Sequence, residues 1–365
     1  MQNSFQIPLI AVLDENKARR HEVSNSLSSL YRVIEYSDYQ WAVLGIRASR
    51  PNIILVDQDA LPNQRAESID DLRGDIATSS IPVILTAKSF DSSMTFSSPG
   101  RIIPLLRPYR RSALIKAVTS VLNSLVEQQW LSLPPLEANA LLQTNDIFNK
   151  LADSFQNGET FSYTDVVQSV EPLVQTVQNN RFKSILNGVK QYDNYSYVHC
   201  LRVATLLSYF AHEVGFSAED QVTLASGGLL HDVGKMSIPH EILNKPGRLT
   251  PEERKVMESH VFATEDLLRM GVGAPSCVRD IGAQHHEKLD GSGYPRGLKA
   301  HQINDLIRMT AIVDVFSALT DRRVYKPPMS AEKALKIMTE EMATSLDQNF
   351  LRLFRDILLD AMIET

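Results

Sequence analysis

The sequence is short of cysteine, of long apolar runs and of surplus positive charge, and each shortage excludes a class of protein. Two cysteines, Cys200 and Cys277, stand far apart in 365 residues. That is no disulfide framework, and it fits a reducing compartment. No apolar stretch approaches the roughly 20 residues that span a bilayer. The opening Met-Gln-Asn-Ser-Phe-Gln has no basic segment leading into an apolar one, so no signal peptide is read there. A cytoplasmic protein with no membrane attachment is expected. Lys and Arg number 37 against 43 Asp and Glu, a net charge of -6. That balance argues against a surface that coats DNA, although a local cluster of cations can still hold a small anion. Internal repeats and low-complexity segments are also lacking. What remains is a chain with 43% apolar residues, ordinary for a globular protein and long enough for two domains.

Short apolar runs at residues 9–13, 52–56, 81–85 and 102–106 alternate with helical stretches such as 17–29 and 111–129. Strands separated by helices predict βαβ units and a parallel sheet. Pro134-Pro135 then breaks the pattern, and everything after Leu136 reads helical. Within it, Thr250-Pro251-Glu252-Glu253 combines an N-cap, a first-turn proline and a capping-box glutamate. The expected organisation is an α/β domain over residues 1–125, a helical linker over 126–150, and an all-α domain over 151–365.

Acidic residues close the predicted strands: Asp14-Glu15 after the first and Asp57 after the second. Ligands of open parallel sheets bind beyond the carboxyl ends of strands. Three carboxylates converging there would repel one another unless a hard cation such as Mg²⁺ sat among them. Thr86 ends the next strand, and Arg107-Pro108 the last. This arrangement resembles the response-regulator receiver domain, a doubly wound, flavodoxin-like fold. The resemblance implies that Asp57 accepts a phosphoryl group, that Asp14, Glu15 and Asp57 hold Mg²⁺, and that Thr86 contacts the phosphoryl group. It also implies a sensor histidine kinase as partner. The family has a lysine where Arg107 stands; arginine keeps the charge but not the compact ammonium.

Five of nine histidines share one chemical context. His231-Asp232 follows the apolar run 224–230, His285-His286 is an adjacent pair, His260 lies in the helix predicted from Pro251, and His199 lies on a helix over 197–210. Asp314 sits in the middle of the apolar segment 303–319, on the face of Ile307, Ala311 and Ala318. A carboxylate there loses most of its hydration, and a metal ion would supply the missing charge. A lone histidine is more often structural, and His21, His212, His240 and His301 stand in no readable motif. Adjacent His-Asp and His-His pairs shift that balance. Five histidines and two aspartates suffice for two ions if Asp232 bridges them. Nitrogen and oxygen donors without thiolate suit Fe, Mn, Co, Ni or Zn rather than a structural zinc.

Together these residues resemble the HD superfamily of metal-dependent phosphohydrolases, and a second motif narrows the resemblance. His285-His286-Glu287 leads into Asp290-Gly291-Ser292-Gly293-Tyr294-Pro295, the pattern of the HD-GYP family. Ile238-Pro239, Lys245-Pro246-Gly247 and Asp314-Val315-Phe316-Ser317-Ala318-Leu319-Thr320 continue it over roughly residues 185–340. That family hydrolyses cyclic di-GMP. The resemblance implies two transition-metal ions, iron or manganese foremost, with Asp232 bridging. His199, His231 and Asp314 would complete one position, and His260, His285 and His286 the other. Lys235, Arg323 and Lys326 would contact substrate phosphates, and Tyr294 would stack a base or pack its loop. It also implies a diguanylate cyclase as partner and a homodimer. Some members place a glutamate one turn before the first histidine, where it holds a third ion. Tyr195 stands there, so two ions are expected, with linear pGpG as the main product. Two other readings remain open: an HD hydrolase for another nucleotide, and a catalytically weak metal protein that signals by binding the dinucleotide or a partner protein.

Overall fold

The computed structural model describes residues 7–62, 67–74, 78–90, 102–245, 247–321 and 329–363. The chain divides into two compact units, Met1–Val126 and Glu127–Thr365.

In the first unit, β1 (Leu9–Leu13), α1 (Lys17–Ser28), β2 (Arg32–Tyr36), α2 (Tyr39–Ser49), β3 (Ile53–Asp57), α3 (Glu67–Arg73), β4 (Val83–Ala87), β5 (Ile102–Leu106) and the start of α4 (Arg111–Trp130) follow in order. The strands form one sheet in the order β2-β1-β3-β4-β5, with every pair parallel. This is the flavodoxin-like order. Alternate residues feed opposite faces, as the pleat requires. Ala11, Leu13, Ile54, Val56, Val83 and Leu85 pack with Ala42, Ile46 and Leu72. Ile10, Val12, Ile53, Leu55 and Ile84 pack with Val23, Leu27, Leu114 and Val118. With both faces covered, the inner strands read as unbroken apolar runs. Pro104, which has no N–H for a ladder, lies in the last strand of the order, where that lack is tolerated. β2 is absent from the sequence-based expectation, for the converse reason. It lies at the other end, Arg32 and Glu35 are exposed, and its five residues contain no apolar run.

The second unit is helical: α5 (Pro135–Asn157), α6 (Tyr163–Gln178), α7 (Phe182–Gly188), α8 (Tyr195–Glu213), α9 (Ala218–Leu230), α10 (His240–Leu243), α11 (Pro251–Glu258), α12 (His260–Met270), α13 (Ser276–Gln284), α14 (Asp305–Thr320), α15 (Ala331–Glu340) and α16 (Gln348–Ile363). Its core joins Val203, Leu207 and Phe210 of α8 to Ile312 and Phe316 of α14 and Phe354 of α16. The residues 126–150 expected as a linker are instead packed. Leu141 and Phe148 of α5 are buried, each contributing about 1.5–3 kcal/mol. Trp130 Nε1 donates to the Gly188 carbonyl at 2.8 Å, and Tyr192 Oη donates to Glu127 at 2.7 Å. Among the described residues, no helix is long and apolar enough to cross a membrane.

Candidate metal centre

The helix over Pro251 stops at Glu258, and His260 opens α12 rather than continuing α11. At this break His260 donates Nδ1–H to the Met257 carbonyl at 2.6 Å. The same device recurs twice. His231, at the end of α9, donates Nδ1–H to Gly228 O at 2.7 Å. His285, at the end of α13, donates to Gly282 O at 3.1 Å. A helix's last carbonyls have no partner within the helix. An imidazole three residues on satisfies one and so fixes its own tautomer, leaving Nε2 as a bare lone pair.

Those lone pairs converge on carboxylates. Asp232, buried between α9 and the turn Val233–Ser237, presents Oδ1 to His260 Nε2 at 3.1 Å and to His285 Nε2 at 3.6 Å. Its Oδ2 faces His231 Nε2 at 3.3 Å and His199 Nε2 at 3.6 Å. Asp314 of α14 lies 2.9 Å from His199 Nε2 and 3.8 Å from His231 Nε2 through Oδ1, and 3.8 Å from His286 Nδ1 through Oδ2. Two groups of donor atoms result, each with its atoms within 4.8 Å of one another: Asp232, His260, His285 and His286, and His199, His231 and Asp314. Ligands bonded at about 2.1 Å around one ion stand roughly 3–3.5 Å apart, and the carboxylate–imidazole separations here run from 2.9 to 3.8 Å.

A divalent cation fits this donor set. His231 Nε2, Asp232 Oδ1, His260 Nε2 and His285 Nε2 are buried and without a hydrogen-bond partner. An imidazole lone pair facing a carboxylate oxygen repels it unless a positive charge lies between, and each unsatisfied buried atom costs about 1–3 kcal/mol. Burial holds His285 below the ordinary imidazole range and, with His285 beside it, His286 further below. Burial opposes ionisation of Asp232 and Asp314, but Lys235 and His231 outweigh it at Asp232 and His199 at Asp314, so both carboxyls fall well below the usual range. Burial would lower His199, yet its hydrogen bonds to Asp314 and Asp321 raise it to about 9.

Around these groups, Lys235 pairs with Asp232 itself. Gly234 lets α12 approach, because a Cβ there would run into the His260 carbonyl. Tyr294 stacks on His286, ring centroids 4.7 Å apart, so it packs the loop against a site histidine. A Cβ at Gly293 would collide with the backbone of residues 286–288. Glu287, buried, holds the same loop by accepting from Arg296 N at 2.7 Å and Leu298 N at 2.8 Å. Tyr195 lies one turn before His199, its ring 5.9 Å away and nearly parallel. Arg323 and Lys326 lie outside the described residues. Glu287 stands in the quoted motif but is given no role by the sequence, and Asp321 and Arg202 are not singled out there. Asp321 leaves a signal of another kind, two turns after Asp314 on the same face.

In the first unit, Asp57 is 1% exposed and accepts from Thr86 Oγ1 at 2.7 Å. The Mg²⁺ expected beside it does not fit this arrangement, because arginine takes its place. Arg19 binds Asp14 through Nε and Nη2, both at 2.8 Å, and reaches Asp57 Oδ1 at 3.1 Å. Arg107 approaches Asp57 Oδ2 at 3.0 Å and Asp59 at 3.1 Å. Glu15 is exposed. Mg²⁺ needs near-octahedral oxygen ligation, and here the oxygens already serve guanidinium groups. Burial nevertheless keeps the Asp57 carboxyl raised, against Thr86 and both arginines.

A doubly wound α/β unit followed by a helical unit with a histidine–aspartate cluster defines a receiver-like domain joined to a metal-binding domain. A profile of the HD domain family matches residues 168–350, half of the chain, and the chain belongs to that family. It is 40% identical over 157 residues to 3'3'-cGAMP-specific phosphodiesterase 1 of Vibrio cholerae serotype O1, covering 43% of this chain and 36% of that protein. It is 25% identical over 346 residues to cyclic di-GMP phosphodiesterase response regulator RpfG of Xanthomonas campestris pv. campestris, covering 93% of this chain and 84% of that one. The chain spans about a third of the length of several curated relatives it matches, 33–37%. Among solved structures, Bd1817, an HDG"Y"P protein from Bdellovibrio bacteriovorus, shares the fold with a TM-score of 0.50 at 16% identity, over 70% of this chain and 88% of that one.

Proposed function

We propose that the second unit hydrolyses a phosphodiester bond of a cyclic dinucleotide, cyclic di-GMP foremost. Two divalent transition-metal ions, iron or manganese in preference to nickel, cobalt or zinc, would be held by His199, His231 and Asp314 on one side and His260, His285 and His286 on the other, with Asp232 between. The observation that carries this reading is the set of buried imidazole lone pairs aimed at the two oxygens of Asp232. The names of the relatives, phosphodiesterases for cyclic di-GMP and 3'3'-cGAMP, support the substrate class. Such ions, when bound, lower the pKa of water and offset charge on the phosphate. Lys235, whose ammonium lies beside Asp232, would contact a phosphate oxygen of the substrate. Tyr294 holds the ring plane of His286, and Glu287 fixes the loop that carries Tyr294.

The product follows from Tyr195. Opening the cyclic dinucleotide leaves a terminal phosphate with extra charge, and a phenol before His199 adds no carboxylate for a third ion. Linear pGpG is therefore the expected main product, with GMP arising slowly. The receiver-like unit is read as the regulatory module, served by a histidine kinase, and its phosphorylation at Asp57 requires Arg19 to leave the carboxylates. The test is a metal-depleted chain reconstituted anaerobically with Mn²⁺ or Fe²⁺ and given cyclic di-GMP or 3'3'-cGAMP. Chromatography should show a linear dinucleotide accumulating with wild type and none with Asp232→Ala. Tight binding with no turnover under any metal would reject catalysis in favour of a binding protein.

A further inference from the structure

The site histidines are not supported alike. His231, His260 and His285 turn Nδ1 to main-chain carbonyls, at 2.7, 2.6 and 3.1 Å. Of the four whose Nδ1 is hydrogen-bonded, only His199 turns it to a carboxylate, Asp321 Oδ2 at 3.1 Å, while His286 faces Asp314 Oδ2 through Nδ1 at the longer distance of 3.8 Å. Asp321 is buried, immediately after α14, which carries Asp314 on the same face. Its second oxygen pairs with Arg202 Nε, one turn along α8 from His199. Arg202 Nη2 in turn donates to Thr320 Oγ1 at 3.2 Å. The carboxylate is thus held from two sides, with one oxygen committed to Arg202 and the other to the ring.

We infer that Asp321 is a positioning residue that makes the two metal positions unequal, so that the ion at His199, His231 and Asp314 is held more tightly than the ion at His260, His285 and His286. An imidazole whose Nδ1–H is bonded to an anion carries more electron density at Nε2 than one bonded to a neutral carbonyl, and it is the stronger donor. Charge adds to this. The first position gathers Asp314 and Asp232 Oδ2 with Asp321 behind the ring, whereas the second has three imidazoles and Asp232 Oδ1. The inference rests on the metal reading of the cluster, and its test separates the two.

Metal-free full-length chain is titrated with Mn²⁺ and followed by electron paramagnetic resonance. Two classes of site are expected in wild type. Asp321→Asn keeps the size and an acceptor oxygen but removes the charge. It should weaken the tight class by about 10–100-fold and leave the other within about twofold. Classes unchanged, or both weakened by one factor, would overturn the inference while sparing the metal reading; a chain that binds no Mn²⁺, Fe²⁺ or Zn²⁺ overturns both. Because Asn leaves Arg202 without its counter-charge and can unfold the domain, a second measurement uses the unmutated protein. In Zn²⁺-loaded chain with ¹⁵N-histidine, one Nδ1–H resonance should lie downfield of the three bonded to carbonyls. Four resonances in one range would contradict a carboxylate partner that polarises the ring.

Discussion

At the scale of single residues, Asp232 is the member whose loss should be felt twice. One carboxylate faces both groups of histidines, so Asp232→Ala should lower metal content from about two ions per chain to about none, whereas His286→Ala, which touches one group, should leave about one. Elemental analysis of protein purified anaerobically reads this directly. Losing charge stabilisation of several kcal/mol corresponds to on the order of 10³-fold in rate. Tyr294 provides a finer comparison. Its ring stacks on His286, and such stacking is worth about 0.5–1.5 kcal/mol. Tyr294→Phe should bind metal as wild type does, and Tyr294→Ala should retain the second ion up to roughly tenfold less well in chelator competition. The donor residues were legible in the sequence because two pairs are adjacent and Asp314 breaks an apolar helix face. The contacts behind them were not. Asp321 meets His199 across 122 residues, and Glu287 acts through main-chain N–H groups of its loop, contacts that no residue type announces.

At the scale of elements, the sequence showed what burial on both sides writes into it. The strands β1, β3 and β4 stand out as apolar runs, while β2 at the end of the sheet carries Arg32 and Glu35 and shows no such run. Pro134-Pro135 marks a linker over residues 126–150 in the sequence, yet Pro135 starts α5, where a missing N–H costs nothing. Asp14 and Asp57 were legible at the strand ends, but their cation was not. Arg19 reads as one more basic residue of a polar helix, and only the fold turns it onto both carboxylates. The consequence is testable. Mg²⁺ at millimolar concentration, with acetyl phosphate or beryllofluoride, should modify Asp57 slowly in wild type and faster in Arg19→Gln, as seen by intact-mass spectrometry. Equal rates would show that Arg19 yields its place to the metal without resistance.

For the whole molecule, each unit has a core of its own: the sheet clusters draw on residues 10–122 and the helical cluster on residues 203–358. The metal groups belong wholly to the second unit. Metal binding should therefore stabilise that unit and leave the first untouched. A ligand present at 100 times its dissociation constant adds about 2.7 kcal/mol. For a unit of this size each kcal/mol moves the midpoint by roughly 2–4 °C, so chelation should lower it by about 5–10 °C. The buried lone pairs add to the effect, since without a cation they face carboxylates unscreened. Scanning calorimetry with and without chelator reads the change. Far-ultraviolet circular dichroism assigns the shifted transition by its amplitude, because most of the helix lies in the second unit. Asp232→Ala should melt at one temperature whether or not chelator is present. If chelation moved the transition of the α/β unit as well, Mg²⁺ would have to be held at Asp14 and Asp57 despite Arg19. If it moved neither, the lone pairs around Asp232 would have to be satisfied by protons rather than metal.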